Sequence, residues 1–293
     1  ASLYGSRAAN GVIIITTKKG KVGTAKVGFK ADWGFSDFAM DYRKTLSGEQ
    51  RRDVLQNAFY NDYISQGYSE SESTQYALED ADKYAPKPWC GYTDWRDIMF
   101  QKGSHSNYET NVSGGNDRAK YYASLGYMNQ EGITLNSGLR RISARVNTEF
   151  KATNHFTFGL NTMFSDVKQD AFSEGTSYTS PFYSTVSKVT PSDPVYNEDG
   201  SWNRDFIGNG DRNPLLSMKY DSKKEYVTRF MNTLWGEYEF IDNLKFKSTL
   251  SYDYQINKSR NWYDPRTSNG DDYNGLEEDY MYERKKFNWS NQL

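Results

Sequence analysis

The sequence predicts an all-β fold, a transmembrane up-and-down antiparallel β-barrel, and three observations carry that prediction. Apolar and polar residues alternate strictly over stretches longer than an ordinary soluble strand. The connections between those stretches alternate between tight turns and long excursions. Aromatic residues abound, with 24 Tyr, 16 Phe and 7 Trp in 293 residues, while the mean hydropathy is −0.89. Much of the apolar surface is therefore made of rings with polar tips, which suit strands facing water on one side or a lipid headgroup boundary.

Composition excludes several function classes. The formal charge is −2 with Lys and Arg dispersed along the chain, so the basic footprint of a nucleic-acid binder is missing. The one cysteine, Cys90, forbids an internal disulfide, and with only His105 and His155 no metal cluster or cofactor is expected. No run of about 18 apolar residues occurs, which excludes a transmembrane helix but not a barrel, whose strands need only about 9–11 residues each. The chain starts at Ala1 inside a motif and stops at Leu293 inside an alternating stretch; it reads as an internal fragment.

Taken in order, residues 1–20 read as a turn on Gly5 and Gly11, a β-branched core strand Val12 to Thr17, and a basic exit Lys18-Lys19-Gly20. From Thr24 the period becomes two, with Val27, Phe29, Ala31 and Trp33 against Lys26, Gly28, Lys30 and Asp32. The pattern recurs at Tyr108 to Val112 and Ala119 to Tyr127, and at Ile142 to Phe150, where Arg141, Ser143, Arg145, Asn147 and Glu149 lie opposite. It continues at Phe156 to Phe164, Phe230 to Phe240 and Leu244 to Ile256, and a last stretch starts near Met281. About eight strands result.

Tight turns are expected at Gly115 to Arg118, Ala152 to Asn154 and Ile241 to Asn243, and longer excursions at 35–105, 130–137, 166–223 and 257–280. This even/odd rule is that of a barrel with periplasmic turns and extracellular loops. The first excursion is partly helical: Ser47 and Gln50 have capping-box spacing, Val54, Leu55, Ala58 and Phe59 follow at helical spacing, and an acidic helix covers Ser71 to Tyr84.

No hydrolase, zincin, Walker or dinucleotide fingerprint is present, so no catalytic residue is assigned. The acidic loops around Gly200 and Gly275 invite calcium, but on the EF-hand template the first ligand falls on Val195 or Gly270, and the template fails. Aromatics in the same loops suit sugar stacking or a peptide surface. Tyr183, Trp202, Trp262 and Tyr263 are the candidate substrate contacts; the plainer reading is that such rings pack the loops together. Arg141, Arg145, Lys245, Lys247 and Asp253 fall on the face expected to line the lumen, where they need water or a plug opposite.

The run Leu3-Tyr4-Gly5-Ser6-Arg7-Ala8-Ala9-Asn10-Gly11 with Val12 to Gly20 closely resembles the end of the plug domain in the SusC/RagA family of TonB-dependent outer-membrane transporters of Bacteroidota, with Tyr4, Gly5, Ser6, Arg7, Asn10 and Gly11 as the motif. Asn107 to Gly115, Tyr121 to Tyr127, Gln130 to Ile133 and Arg141 to Asn147 also resemble that family. The resemblance implies residues 1–20 as the plug end and 21–293 as the first part of a 22-stranded barrel set in outer-membrane lipid. It further implies a SusD-like lipoprotein partner, energy from TonB through a region outside this chain, and import of an oligosaccharide or peptide. Competing readings are a soluble or surface-attached carbohydrate-binding β-sandwich and a barrel hydrolase, the latter lacking an identifiable catalytic group.

Overall fold

The computed structural model describes residues 17–39, 44–172, 180–206 and 212–293. The plug-end motif, Tyr4 to Gly11, and the strand expected from Val12 lie outside them except for Thr17. Among the described residues, eight strands form one antiparallel sheet in chain order. They are β1 (Gly23–Ser36), β2 (Gly103–Gly115), β3 (Ala119–Glu131), β4 (Gly138–Lys151), β5 (Phe156–Ala171), β6 (Ser222–Ile241), β7 (Leu244–Tyr263) and β8 (Leu276–Gln292). Each strand pairs only with its sequence neighbours. A sandwich would need two packed sheets; the described strands make one, so that alternative fails.

The three expected tight turns are present, and their residues explain them. At the β2–β3 turn, Asn116 Oδ1 accepts from the backbone N–H groups of Arg118 (2.9 Å) and Ala119 (2.8 Å), an Asx turn. Gly115 there has φ +156° and a Cβ would strike the Ala119 carbonyl. At the β4–β5 turn, Thr153 Oγ1 accepts from the N–H groups of His155 and Phe156. At the β6–β7 turn Asn243 adopts φ 68°, a left-handed position that asparagine tolerates.

The opposite rim carries the excursions, and here the expected bounds need correction. Residues 35–36 belong to β1, 103–105 to β2, 130–131 to β3, 166–171 to β5, 222–223 to β6, 257–263 to β7 and 276–280 to β8, so the strands climb past the alternating apolar stretches. Two helices, α1 (Gly48–Ser65) and α2 (Glu70–Tyr84), form a hairpin in the first excursion. The Ser47/Gln50 capping box forms, and Ser69 with Glu72 makes a second one. The buried side of the pair is Ala77, Ala81 and Ser73 on α2 against Arg52 on α1, whose guanidinium pairs with Asp82. Val54 is 56% exposed, whereas Leu55 and Phe59 are half-buried and Phe59 stacks on Tyr84 of α2 at 5.7 Å, so the apolar spacing read from the sequence marks the inner side of α1 only in part. Three shorter helices follow, α3 (Trp95–Met99), α4 (Pro181–Ser187) and α5 (Pro214–Tyr220).

The buried core lies in these loops rather than on the sheet. Trp95, Met99, Phe100, Phe206 and Met218 are buried together, flanked by Phe38, Leu135, Phe172 and Val195. One sheet has no second layer to bury against, so the loops supply their own interior.

Candidate functional site

Antiparallel pairing puts opposed residues on the same face, so the register sorts the sheet into two surfaces. One row runs Phe29, Thr110, Leu125, Ala144, Phe164, Phe230, Tyr254 from β1 to β7. The adjacent row on the other face runs Gly28, Asn111, Ser124, Arg145, Met163, Met231, Asp253. The first face is aromatic and aliphatic: Val27, Phe29 and Trp33 stand 77%, 72% and 72% exposed. Near the short-turn rim it carries a band of rings, with Phe150 and Phe158 stacked at 5.5 Å, Phe156 and Phe158 at 5.9 Å, and Tyr238 against Phe240 at 5.0 Å. Such a band at the edge of an apolar surface is the outward signature of a membrane strand.

The second face is polar, and several of its charges are matched. Arg229 grips Asp253 through two hydrogen bonds of 2.8 and 2.7 Å. Lys245 lies 3.6 Å from Glu237 and 3.8 Å from Glu239, and Lys247 sits over the Trp235 ring at 4.9 Å. Arg145 reaches Met163 Sδ at 3.5 Å.

Residues 17–20 lie on this polar face. Asn147 donates its side-chain amide to the Lys18 carbonyl at 2.7 Å, and Asn147 is buried. Glu149 accepts from Lys19 (3.3 Å) and Lys120 (3.0 Å), while Lys19 sits 5.4 Å above the Trp235 ring. Gly20 is pressed against the backbone of Tyr121 and Gly114, where a Cβ would collide. The sequence marked Lys18 to Gly20 only as a basic exit; the opposed carboxamide and carboxylate of Asn147 and Glu149 were visible as same-face residues, but not as its seat.

At the long-loop rim the predicted aromatics divide. Trp202 packs on Tyr196 (4.7 Å) and Tyr220 (6.1 Å), with Lys219 at 5.3 Å. Arg266 stacks on Tyr220 at 3.6 Å, and Arg204 pairs with Asp271 at 2.5 Å, so the 172–221 and 264–275 loops are clamped together. Tyr183 is half-buried on α4 beside Lys188. Trp262 and Tyr263 stand on β7, not in a loop, and adjacent strand residues point to opposite faces. Trp262 shares the apolar face, and Tyr263 lines a rim cavity of about 680 Å³. Phe206, at 1% exposed, is core.

Carboxylates, half-buried at Asp221 and buried at Asp193 and Asp264, tie these loops. Asp221 accepts from the Asp264 N–H (2.9 Å), Thr267 Oγ1 (2.8 Å) and Asn269 Nδ2 (2.7 Å), and burial pushes its carboxyl up despite those bonds. Asp193 is likewise pushed up by burial while accepting from Thr190 N and Oγ1. The Arg266 guanidinium holds the Asp264 carboxyl down to about 2. A second groove, missed in the sequence, lies between Trp89, Tyr92, Asp97, Tyr196 and Glu198. These arrangements can bind by stacking and hydrogen bonding.

No protein-family model matches the chain. Curated relatives do. A TonB-dependent receptor, P3, of Formosa agariphila is 31% identical over 257 residues, covering 86% of this chain and 23% of the relative. The TonB-dependent receptor SusC of Bacteroides thetaiotaomicron is 29% identical over 278 residues, covering 86% and 25%. Among solved structures, the RagAB peptide transporter aligns with a TM-score of 0.75 at 19% identity, over 99% of this chain and 35% of that one; this likeness shows the fold. The chain thus spans about a quarter of the length of the curated relatives it matches.

Proposed function

The chain belongs to the SusC/RagA-like TonB-dependent receptors, and on that footing we propose that it supplies the first strands of an outer-membrane barrel wall that imports an oligosaccharide or peptide. Residues 1–20 end a plug domain and residues 21–293 begin the barrel. The apolar face meets lipid, and the polar face lines the path the substrate takes. A SusD-like lipoprotein closes over the long loops, and TonB acts through a region outside this chain.

The observation that carries this reading is the division of one sheet into a ring-rich face and a polar face, with Thr17 to Gly20 seated on the second. A soluble sheet would bury its aromatic face; this one presents it. Trp202 and Tyr183 on the loops and Tyr263 on the polar face of β7 are the substrate contacts this arrangement favours. Trp262, on the opposite face of β7, remains a contact only if the substrate or the partner passes over the rim.

The test is purification of the full-length protein from outer membranes in mild detergent, with mass spectrometry of what accompanies it. A co-purifying surface lipoprotein and a protein insoluble without detergent are expected. A protein that is water-soluble and alone overturns the reading.

A further inference from the structure

Four cations on the apolar face lie close together, and none of them has a carboxylate partner among the described residues. Arg140 opposes Lys168 in the β4–β5 ladder, Lys168 opposes Tyr226 in β5–β6, and Tyr226 opposes Lys258 in β6–β7. Lys224, two residues from Tyr226 on β6, shares the face. Lys168, Lys258 and Lys224 thus flank Tyr226 on three sides, with Arg140 one strand beyond Lys168, and the set spans about 14 Å across three strand spacings. It sits one same-face row beyond Ile142, Thr228 and Ile256, where the apolar surface ends toward the long-loop rim.

None of the four makes an ion pair or side-chain hydrogen bond among the described residues, whereas Arg260, nearby on the same face, takes Asp279 through two hydrogen bonds of 3.0 and 3.1 Å. Of the adjacent carboxylates, Asp166 accepts from Thr228 Oγ1 at 2.6 Å. Asp170 faces Lys224 across the ladder without pairing, so the cluster keeps a net positive charge. The rim cavity of about 680 Å³ has Arg140, Lys168 and Lys224 in its wall, together with Lys219 and Tyr220 from α5. Lys223 and the carboxylates of Glu131, Asp170 and Asp221 also line it, so cations outnumber carboxylates there. Cations stranded at the edge of an apolar surface need an anion at that depth, and basic pockets at a headgroup boundary are filled by lipid phosphates.

We propose that Arg140, Lys168, Lys224 and Lys258 bind the phosphorylated headgroup of an outer-leaflet glycolipid, with the Tyr226 ring at the boundary. The proposal rests on the barrel-wall reading, because only there does this face meet lipid. Long flexible cations around a ring suit a headgroup whose phosphates vary in position better than a fixed protein carboxylate would.

The experiment uses the full-length protein extracted from outer membranes, as wild type and with Arg140→Gln, Lys168→Gln, Lys224→Gln and Lys258→Gln combined. Lys26→Gln with Lys30→Gln on the polar face serves as the charge control. Native mass spectrometry counts phosphorylated glycolipid per protein, and heat-modifiable migration on gels confirms that each variant is a folded barrel. Wild type and control should retain glycolipid, and the quadruple variant should lose it at least about tenfold. Equal retention by the quadruple variant overturns the proposal, as does displacement of the glycolipid by millimolar inorganic phosphate, which would mark a site for free anions. A wild type that is not heat-modifiable overturns the barrel reading and the proposal with it, whereas a heat-modifiable wild type without glycolipid overturns the proposal alone.

Discussion

Asn147, in the middle of β4, holds the backbone carbonyl of Lys18 at 2.7 Å and reaches Thr17 Oγ1 at 3.4 Å. A wall residue thus fixes a segment that enters the sheet only at Gly23. Asn147→Leu removes the donor and leaves a desolvated carbonyl, costing the docked segment about 1–3 kcal/mol. Trypsin should then cut after Lys18 or Lys19 about tenfold faster at equal protease. An unchanged rate would show that other contacts suffice.

Gly20 tests the same seat sterically. A Cβ there meets the backbone of Tyr121 and Gly114, which cannot rotate aside as a side chain can. Gly20→Val should lift residues 17–20 from the wall and release the Lys19–Glu149 pair. Hydrogen exchange in Thr17 to Lys21 should rise while that of β3 and β4 stays slow. Protection retained in Thr17 to Lys21 would contradict this.

Trp95 anchors the loop core: it is 4% exposed, packs on Phe206 at 5.4 Å and donates Nε1–H to the Asp193 carbonyl at 3.0 Å. Trp95→Ala should cost the loop assembly about 3–5 kcal/mol. The loss should appear as protease sensitivity in 172–206 with the far-ultraviolet strand signal intact, because the sheet shares little of this core. Loss of the strand signal would mean that loops and wall unfold as one.

Asp264 gives a pH-dependent prediction. Its hydrogen bonds from Arg266 hold the folded carboxyl at about 2, below the ordinary value of about 3.9. The contribution is therefore complete above pH about 4 and fades as pH falls toward 2. Hydrogen exchange across 264–275, corrected for intrinsic rate, should rise through that window in wild type, and Asp264→Asn should be loosened already at neutral pH. A flat wild-type profile would assign the loop's order to Asp221 and its three donors instead.

Much of the wall was legible because its chemistry is binary. From Leu244 to Ile256 every second residue except Ser248 is apolar, and the observed register keeps those residues on one face. The pattern fades at Asn257 to Tyr263, where Asn-Lys-Ser-Arg-Asn carries polar groups on both faces; above the apolar band neither side selects against them. Strand and loop then look alike in sequence, so Trp262 and Tyr263 read as loop residues. The capping boxes at Ser47 and Ser69 and the Asn-Pro and Ser-Pro starts of α5 and α4 were local signals, the last three unread. The seat of residues 17–20 was not legible. It joins Lys18 to Asn147 across 129 positions, and no short-range pattern encodes such a contact.

The strictly sequential ladder also bears on assembly. Strands β2–β3, β4–β5 and β6–β7 are joined by the tight turns, so each pair can close with little loss of chain entropy. Pairing β1 to β2 or β5 to β6 must instead bring together ends separated by a whole folded excursion. Growth by preformed hairpins, each templating the backbone of the next, would let the lipid-facing rings enter the bilayer two strands at a time. The slow steps would then be the loop-spanned joins, and shortening the 37–102 excursion should hasten insertion without altering any contact of the finished wall.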